Sequence, residues 1–202
     1  MKVLVATTNR HKLQEIRDIL GDGDANLHLI SLDDLHAPID APEENGHTFE
    51  ENAVEKARHY ARVSELPTIA DDSGLVVDAL DGAPGVHSAR WMGEDASYDL
   101  KNRKLVELLA NVEPALRTAR FVCVAAMAWP DGRVVTARGV HEGRIHGEIS
   151  GQGGFGYDPV FYSLEAGQTF GTLSAEEKNR MSHRARAMTA LRDSIVGGAS
   201  FS

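Results

Sequence analysis

Lys2–Leu20 reads KVLVATTNRHKLQEIRDIL, and it passes through three kinds of chain in nineteen residues. KVLV is a short β-branched run with the pattern of a buried strand. The polar stretch Thr7–Lys12 follows. Leu13, Ile16 and Leu20 then recur at helical spacing, and Gly21 stands where a helix commonly stops. A strand, a polar turn and a helix in that order open an α/β domain.

The rest of the chain extends this pattern. LHLISL, Leu27–Leu32, reads as a second strand. It is followed by a loop with two prolines and many carboxylates that carries Glu43 and Glu44. Thr48–Glu65 is the clearest helix, opened by a Thr48-x-x-Glu51 capping box with acidic residues in its first turn. IADDSG, Ile69–Gly74, is expected where an apolar strand ends, with Gly74 easing the backbone as the chain leaves. Helical spacing returns at Leu105, Leu108, Leu109 and Val112. Thr118–Val140 has the pattern of a long hairpin about Asp131-Gly132. A glycine-rich loop, Gly151–Phe161, leads to a short strand. A second capping box pairs Ser174 with Glu177. A last helix from about Ser182 places Ala185, Met188, Leu191 and Ile195 on one face.

Bulk properties narrow the function classes. The 202 residues suit one medium-sized domain, of one lobe or two, at 42% hydrophobic and 25% charged. A net charge of −9 argues against a protein that coats nucleic acid or an anionic membrane. It leaves room for a small phosphorylated ligand held by a few cations. The single cysteine, Cys123, allows no intrachain disulfide and reads as a small core hydrophobe. The longest apolar run, FVCVAAMAW, is too short to span a bilayer, and the N-terminal residues turn polar too early for a secretory segment. A cytoplasmic protein is the expectation.

Six stretches carry possible chemistry. Asp71 and Asp72 point to opposite faces if they lie on a strand, so one can face a ligand while the other supports the motif. A carboxylate of the Glu43-Glu44 loop could join an aspartate in holding Mg²⁺, which usually takes one or two protein carboxylates. Thr7, Thr8, Asn9, Arg10, His11 and Lys12 form a natural phosphate corner at a helix start, though without the glycines of a P-loop. Lys56 follows Asn52 by one helical turn. Phe155, Gly156, Tyr157 and Asp158 offer an aromatic face, close backbone approach and an acceptor. Lys178, His183 and Arg184 are donors on two adjoining helical pieces. Taken singly, most of these match solvated loops, caps or core as well as they match a site.

In order and together, TTNRHKLQEI, EENGHTFEENAVEKA, IADDSGLVVDALDGAPGVHSARW, GEDA, GGFGYDPVF and EEKNRMSHR resemble the inosine triphosphate/xanthosine triphosphate pyrophosphatase family over nearly the whole chain. Thr8 stands where that family commonly has glycine, and Trp91 where tyrosine is common. The resemblance implies an α/β, two-lobed fold around a long mixed β-sheet with flanking helices and an active-site cleft between the lobes. It implies Mg²⁺-dependent hydrolysis of ITP, dITP and XTP to the monophosphate and pyrophosphate, which would clear deaminated purines from the pool used for DNA and RNA. It also implies a homodimer.

By position, the resemblance puts the triphosphate on Thr7, Asn9 and Lys12 within the Thr7–Lys12 run, and Mg²⁺ on Glu43 and Asp72. Asp72 matches the proton acceptor, and Lys56 lies near the phosphates. Ser73, Phe155, Gly156, Tyr157, Asp158, Lys178, His183 and Arg184 complete the substrate site. Two other readings compete: a Maf-type pyrophosphatase acting on modified nucleotides, and a nucleotide-binding module without catalysis.

Overall fold

The structure is a computed structural model, and it describes residues 1–21 and 27–198. Its elements run β1 (Lys2–Val5), α1 (Arg10–Leu20), β2 (His28–Ser31), α2 (Phe49–Ser64), β3 (Thr68–Val77) and α3 (Tyr98–Leu108). They continue with β4 (Thr118–Ala128), β5 (Val134–Ile145), β6 (Phe161–Ser163), β7 (Gln168–Thr169), α4 (Ala175–Met181) and α5 (His183–Gly198). The strands form one sheet in the order β2-β1-β3-β4-β5-β6-β7. β1 pairs parallel with β2 and β3, whereas β6 pairs antiparallel with β5 and β7. The sheet is therefore mixed, as the family resemblance implies.

The chain divides into two compact units. The first holds Met1–Asp72, Cys123–Gly139 and His183–Ser202; the second holds Ser73–Val122 and Val140–Ser182. The first has a core on each side of β1. On one, Val3, Val5, Ile16 and Leu20 meet Cys123, Met127, Met188 and Leu191. On the other, Leu4, Ala53, Ala57 and Tyr60 meet Val124 and Ala126. This is the alternation a buried strand must show. Each large side chain so buried contributes about 1.5–3 kcal/mol. The second unit packs Leu75, Leu105, Leu109 and Phe121 with Phe161 and Phe170.

The local signals set these elements with three differences, the first being α3, which starts at Tyr98 and ends at Leu108, so that Leu109 caps it and Val112 lies beyond it. Asn9 caps α1, and Gly21, at φ +63°, ends it with an N–H donated to the Arg17 carbonyl. The Ser174–Glu177 box closes in both directions. At α2 the box closes only halfway. The Thr48 hydroxyl accepts from Glu51 N at 3.1 Å, but the Glu51 carboxylate accepts from His47 N at 2.7 Å, one residue early. The larger correction concerns Asp71-Asp72-Ser73-Gly74, which does not end a strand: β3 runs unbroken from Thr68 to Val77. Both faces of this strand are covered, so a small residue and a glycine can sit in it without breaking the ladder.

Between β4 and β5 the chain turns at Pro130–Gly132, where Gly132 adopts φ +93° and Trp129 N donates to the Arg133 carbonyl. Gly139 on β5 has a different reason to be glycine. A Cβ there would lie 2.1 Å from the His183 carbonyl oxygen and 2.5 Å from Ala187 N. The start of α5 thus rests directly on the strand backbone, which fixes where His183 and Arg184 begin.

Candidate active site

In the first unit, β1 and β3 lie side by side and deliver the Thr7–Lys12 turn and the Asp71-Asp72 pair to neighbouring positions. Asn9 Oδ1 accepts from His11 N at 2.9 Å and Lys12 N at 3.2 Å, and Thr7 Oγ1 accepts from Asn9 N at 3.2 Å. The turn is therefore held by its own side chains, while Thr8, Arg10 and His11 are exposed. Thr8 is not among the described non-glycine residues with positive φ, which are Glu65, Asp81 and Met92. No strain follows from threonine in the position where glycine is common.

Asp71 and Asp72 separate as a strand requires. Asp71 Oδ2 meets Lys12 Nζ at 3.1 Å and Arg184 Nη2 at 3.1 Å, and the Cys123 thiol approaches it at 3.8 Å. Arg184 Nη1 is ion-paired with Glu15. Arg184 and Asp71 are both almost fully enclosed, and Glu15 is buried. Burial would push the Asp71 carboxyl up, but Lys12, Arg184 and Lys56 more than offset this and hold it well below the ordinary carboxylate range. Burial pushes the Cys123 thiol far up and Asp71 adds to it, Arg184 and Lys12 offset only part of this, and the thiol stays protonated. Asp71 Oδ1 is also buried and has no hydrogen-bond partner among the described residues.

Asp72 faces elsewhere. Asn52 Nδ2 on α2 donates to its Oδ2 at 3.0 Å, and burial pushes its carboxyl up despite Asn52, Lys12 and Lys56. A buried carboxylate with raised basicity is suited to taking a proton. Lys56, one turn after Asn52, donates to the Asp71 carbonyl at 3.3 Å and is ion-paired with Glu44. Burial would lower its pKa, but Glu44 and both aspartates raise it above the ordinary value, so it stays a cation. Glu43 is exposed and accepts from Asn45 Nδ2 at 2.8 Å. Of the two loop glutamates, it is Glu44 that reaches Lys56.

The second unit presents a separate constellation. Asp158 Oδ2 accepts from Phe155 N at 2.8 Å and meets Lys178 Nζ at 2.6 Å. Lys178 also lies over the Phe155 ring, 4.7 Å from its centroid, so a cation occupies one face of the ring that the sequence offered for stacking. Asn102 on α3 donates to the Gly156 carbonyl at 3.0 Å, and the Tyr157 hydroxyl donates to the Ser88 carbonyl at 2.9 Å. Tyr157 and Asp158 are buried, and so hold the loop in place, whereas Phe155 and Gly156 are half-exposed. Ser73 is half-buried on β3.

Four residues at these sites went unassigned in the sequence reading. Glu15 lies in the quoted α1 motif but reads there as one more helix carboxylate. Asn102 carries no motif of its own. Asn52 was placed beside Lys56 without a role. His141 Nδ1 lies 2.9 Å from the Met181 carbonyl and its Nε2 lies 2.8 Å from Ser163 Oγ. A carbonyl only accepts, so Nδ1 carries the proton and ties down the end of α4 just ahead of His183.

The chain is 48% identical to a dITP/XTP pyrophosphatase of Geobacter sulfurreducens, over 96% of each chain. It is 44% identical to the dITP/XTP pyrophosphatase of Escherichia coli K12, over 98% of this chain and 99% of that one. Among solved structures, a HAM1 protein from Coxiella burnetii superposes with a TM-score of 0.86 at 37% identity, covering 98% of this chain and 99% of that one. The Staphylococcus aureus Ham1 protein gives a TM-score of 0.85 at 37% identity, over 98% and 100%. The model of the Ham1 family matches residues 3–194, and the chain belongs to that family.

Proposed function

We propose that the chain hydrolyses the α–β phosphoanhydride bond of deaminated purine nucleoside triphosphates, ITP, dITP and XTP, releasing the monophosphate and pyrophosphate. The observation that carries this reading is the split of the Asp71-Asp72 pair. Asp71 is locked as an anion by Lys12 and Arg184, while Asp72 is buried, raised in pKa and oriented by Asn52.

In this reading Asp72 accepts the proton of the water that attacks the α-phosphorus, and Asn52 aims its carboxylate. Lys12 and Lys56 screen the triphosphate, whose four charges would otherwise repel the nucleophile. Thr7 and Asn9 shape the helix start that receives phosphate oxygens, with Thr8, Arg10 and His11 at its open side. Arg184 has turned its guanidinium onto Glu15 and Asp71, so it acts by fixing Asp71 and, through it, Lys12. His183, next to it, is assigned as donor to the C6 carbonyl that hypoxanthine and xanthine carry and adenine lacks. A donor facing the adenine amino group would leave both unpaired, a mismatch that costs roughly 10⁴-fold or more in such sites. Phe155 and Gly156 are assigned to the base, on a loop held by Asp158, Lys178 and Asn102, and Ser73 to the substrate as well.

Mg²⁺ fits this donor set. The buried Asp71 Oδ1 has no hydrogen-bond partner among the described residues, and Asp72, on the other face of β3, offers a second buried carboxylate. No group of three His, Cys, Asp or Glu gathers among the described residues, and Mg²⁺ needs only one or two protein carboxylates. Asp72 and Glu43 would hold it, with Asp71 reaching it through water. When bound, Mg²⁺ neutralises phosphate charge and stabilises departing pyrophosphate. The family likeness further supports a homodimer, and a place in the cytoplasm where nucleotide pools are cleared of deaminated purines before they enter DNA or RNA.

The test is a Mg²⁺-dependent panel of ITP, dITP, XTP, GTP, ATP and dUTP with monophosphate, pyrophosphate and orthophosphate resolved. Pyrophosphate from the first three is expected. Orthophosphate as first product would put the attack at the terminal phosphate and overturn the mechanism, and absence of purine turnover would overturn the reading.

A further inference from the structure

One lysine of α3 is out of keeping with its neighbours. Asp99, Leu100 and Arg103 are exposed, yet Lys101 is 1% exposed and stands among the largest fully enclosed side chains of the described residues. Lysine is almost never enclosed without a carboxylate beside it. Lys56 has Glu44 and Lys178 has Asp158, but Lys101 makes no ion pair among the described residues. Its ammonium donates to the Ala89 carbonyl at 2.6 Å and lies 4.7 Å from the centroid of the Tyr98 ring. Burial pulls its pKa down, and no carboxylate counters this. An apolar side chain of the same length would fill this space without stripping water from a charge.

The contacts of Lys101 close a circuit on the loop assigned to the base. Tyr98 lies one helical turn before Lys101, and its ring meets the Tyr157 ring edge-on with centroids 5.2 Å apart. A Cβ on Gly156 would lie 3.6 Å from Tyr98 Cε1, so the same ring lies against the loop backbone. The Tyr157 hydroxyl donates to the Ser88 carbonyl, next to the Ala89 carbonyl that Lys101 holds. From Tyr157 the contacts therefore run through Tyr98, Lys101 and Ala89 to Ser88, and back to Tyr157. The ammonium is the one link that joins the Tyr98 ring to the Ser88–Ala89 backbone. Without it, the two supports of Tyr157 are no longer tied to each other.

We propose that Lys101 and Tyr98 are positioning residues for the Phe155–Tyr157 loop, and that the enclosed ammonium serves base binding rather than stability. The inference rests on the assignment of Phe155 and Gly156 to the base. Lys101 is enclosed, so it acts on the base through Tyr98 and the loop, not by touching it.

The test follows the full chain by urea unfolding, by amide hydrogen exchange over Phe155–Tyr157 without substrate, and by KM and kcat on ITP. Lys101→Met keeps the length and removes the charge, so it should unfold at the same urea concentration as wild type or a higher one. Its loop amides should exchange about tenfold faster. KM should rise about five- to tenfold with kcat within about twofold, the loss of a cation held over a ring and of the order it imposes. Tyr98→Leu should move exchange and KM in the same way, and Tyr98→Phe, which keeps the ring, should stay near wild type. The double variant Lys101→Met with Tyr98→Leu should be no worse than the poorer single one, because both break one circuit. A methionine variant that loses stability, loop exchange that stays at the wild-type rate, or additive losses in the double variant would each overturn the proposal. A KM that stays put while exchange quickens overturns the link to the base. The exchange measurement needs no turnover, so a wild type that leaves ITP intact counts against the proposed reaction and leaves the positioning role to be decided by exchange.

Discussion

The two units solve the problem of a buried carboxylate differently. In the first, Asp71 shares one oxygen between Lys12 and Arg184, and Arg184 shares its guanidinium between Asp71 and Glu15. In the second, Asp158 joins a single lysine to a backbone N–H of its own loop. A shared network spreads each charge over several partners and fixes four side chains at once. A paired lysine fixes one loop. The difference matches the assigned duties: charge placement for phosphate chemistry in the first unit, and the shape of a base-binding loop in the second.

The largest effect should come from leaving the network intact and removing only its reactive neighbour. Asp72→Asn is expected to lower turnover of ITP by about 10³-fold or more while the thermal unfolding midpoint stays near wild type. A near-normal rate would reassign the proton acceptor. Removing the hub comes next. Arg184→Met leaves Asp71 and Glu15 without their shared cation, and urea unfolding should show a loss of about 3–5 kcal/mol together with slower ITP turnover. Unchanged ITP turnover would count against its role.

The comparison sharpens with Lys178. Lys178→Met should destabilise by a similar amount, but adding Asp158→Leu should recover much of it, since replacing a buried pair outright is often close to neutral. Arg184→Met with Asp71→Leu should recover less, because Glu15 and Lys12 keep their charges. Equal recovery in both units would erase the distinction drawn between network and pair.

Acidification probes the network without mutation. The Asp71 carboxyl is held below its ordinary value of 3.8 in the folded chain, so on acidification the unfolded chain takes up a proton that the folded chain does not. Its contribution is therefore present above about pH 4 and lost as pH falls below that. In metal-free protein the acid limb of stability should be shallower for Asp71→Asn than for wild type, by chemical denaturation across that range. Asn102→Ala frees the Gly156 carbonyl and should raise KM for ITP several-fold, an effect of about 1 kcal/mol, with kcat less changed. Smallest of all, Thr8→Gly should alter stability by about 0.5 kcal/mol or less, since Thr8 needs no left-handed backbone.

Much of this was legible before the fold. The Lys2–Gly21 stretch names its own strand, cap, helix and stop, because each depends on neighbours within a turn or two. Ala185, Met188 and Leu191 are buried on α5 as their spacing requires, and Ile195 packs beside them. The alternation of Asp71 and Asp72 follows from strand geometry alone. The same local logic misled where tertiary context overrode it. Gly74 suggests an exit, yet β3 continues, because layers covering both faces reward extension more than a glycine penalises it.

By itself the sequence determined the α/β character, the boundaries of α1 and α2 and the set of motifs that mark the Ham1 family, since these rest on periodicity, capping and residue order. Only the tertiary structure decided which charges meet. Glu15 and Arg184 are 169 positions apart and Asp71 and Arg184 are 113. No short-range pattern reveals that one guanidinium will serve both, that Glu44 rather than Glu43 holds Lys56, or that Lys178 covers Phe155. Burial turns such pairings from weak surface contacts into strong constraints, and burial is a property of the packed chain.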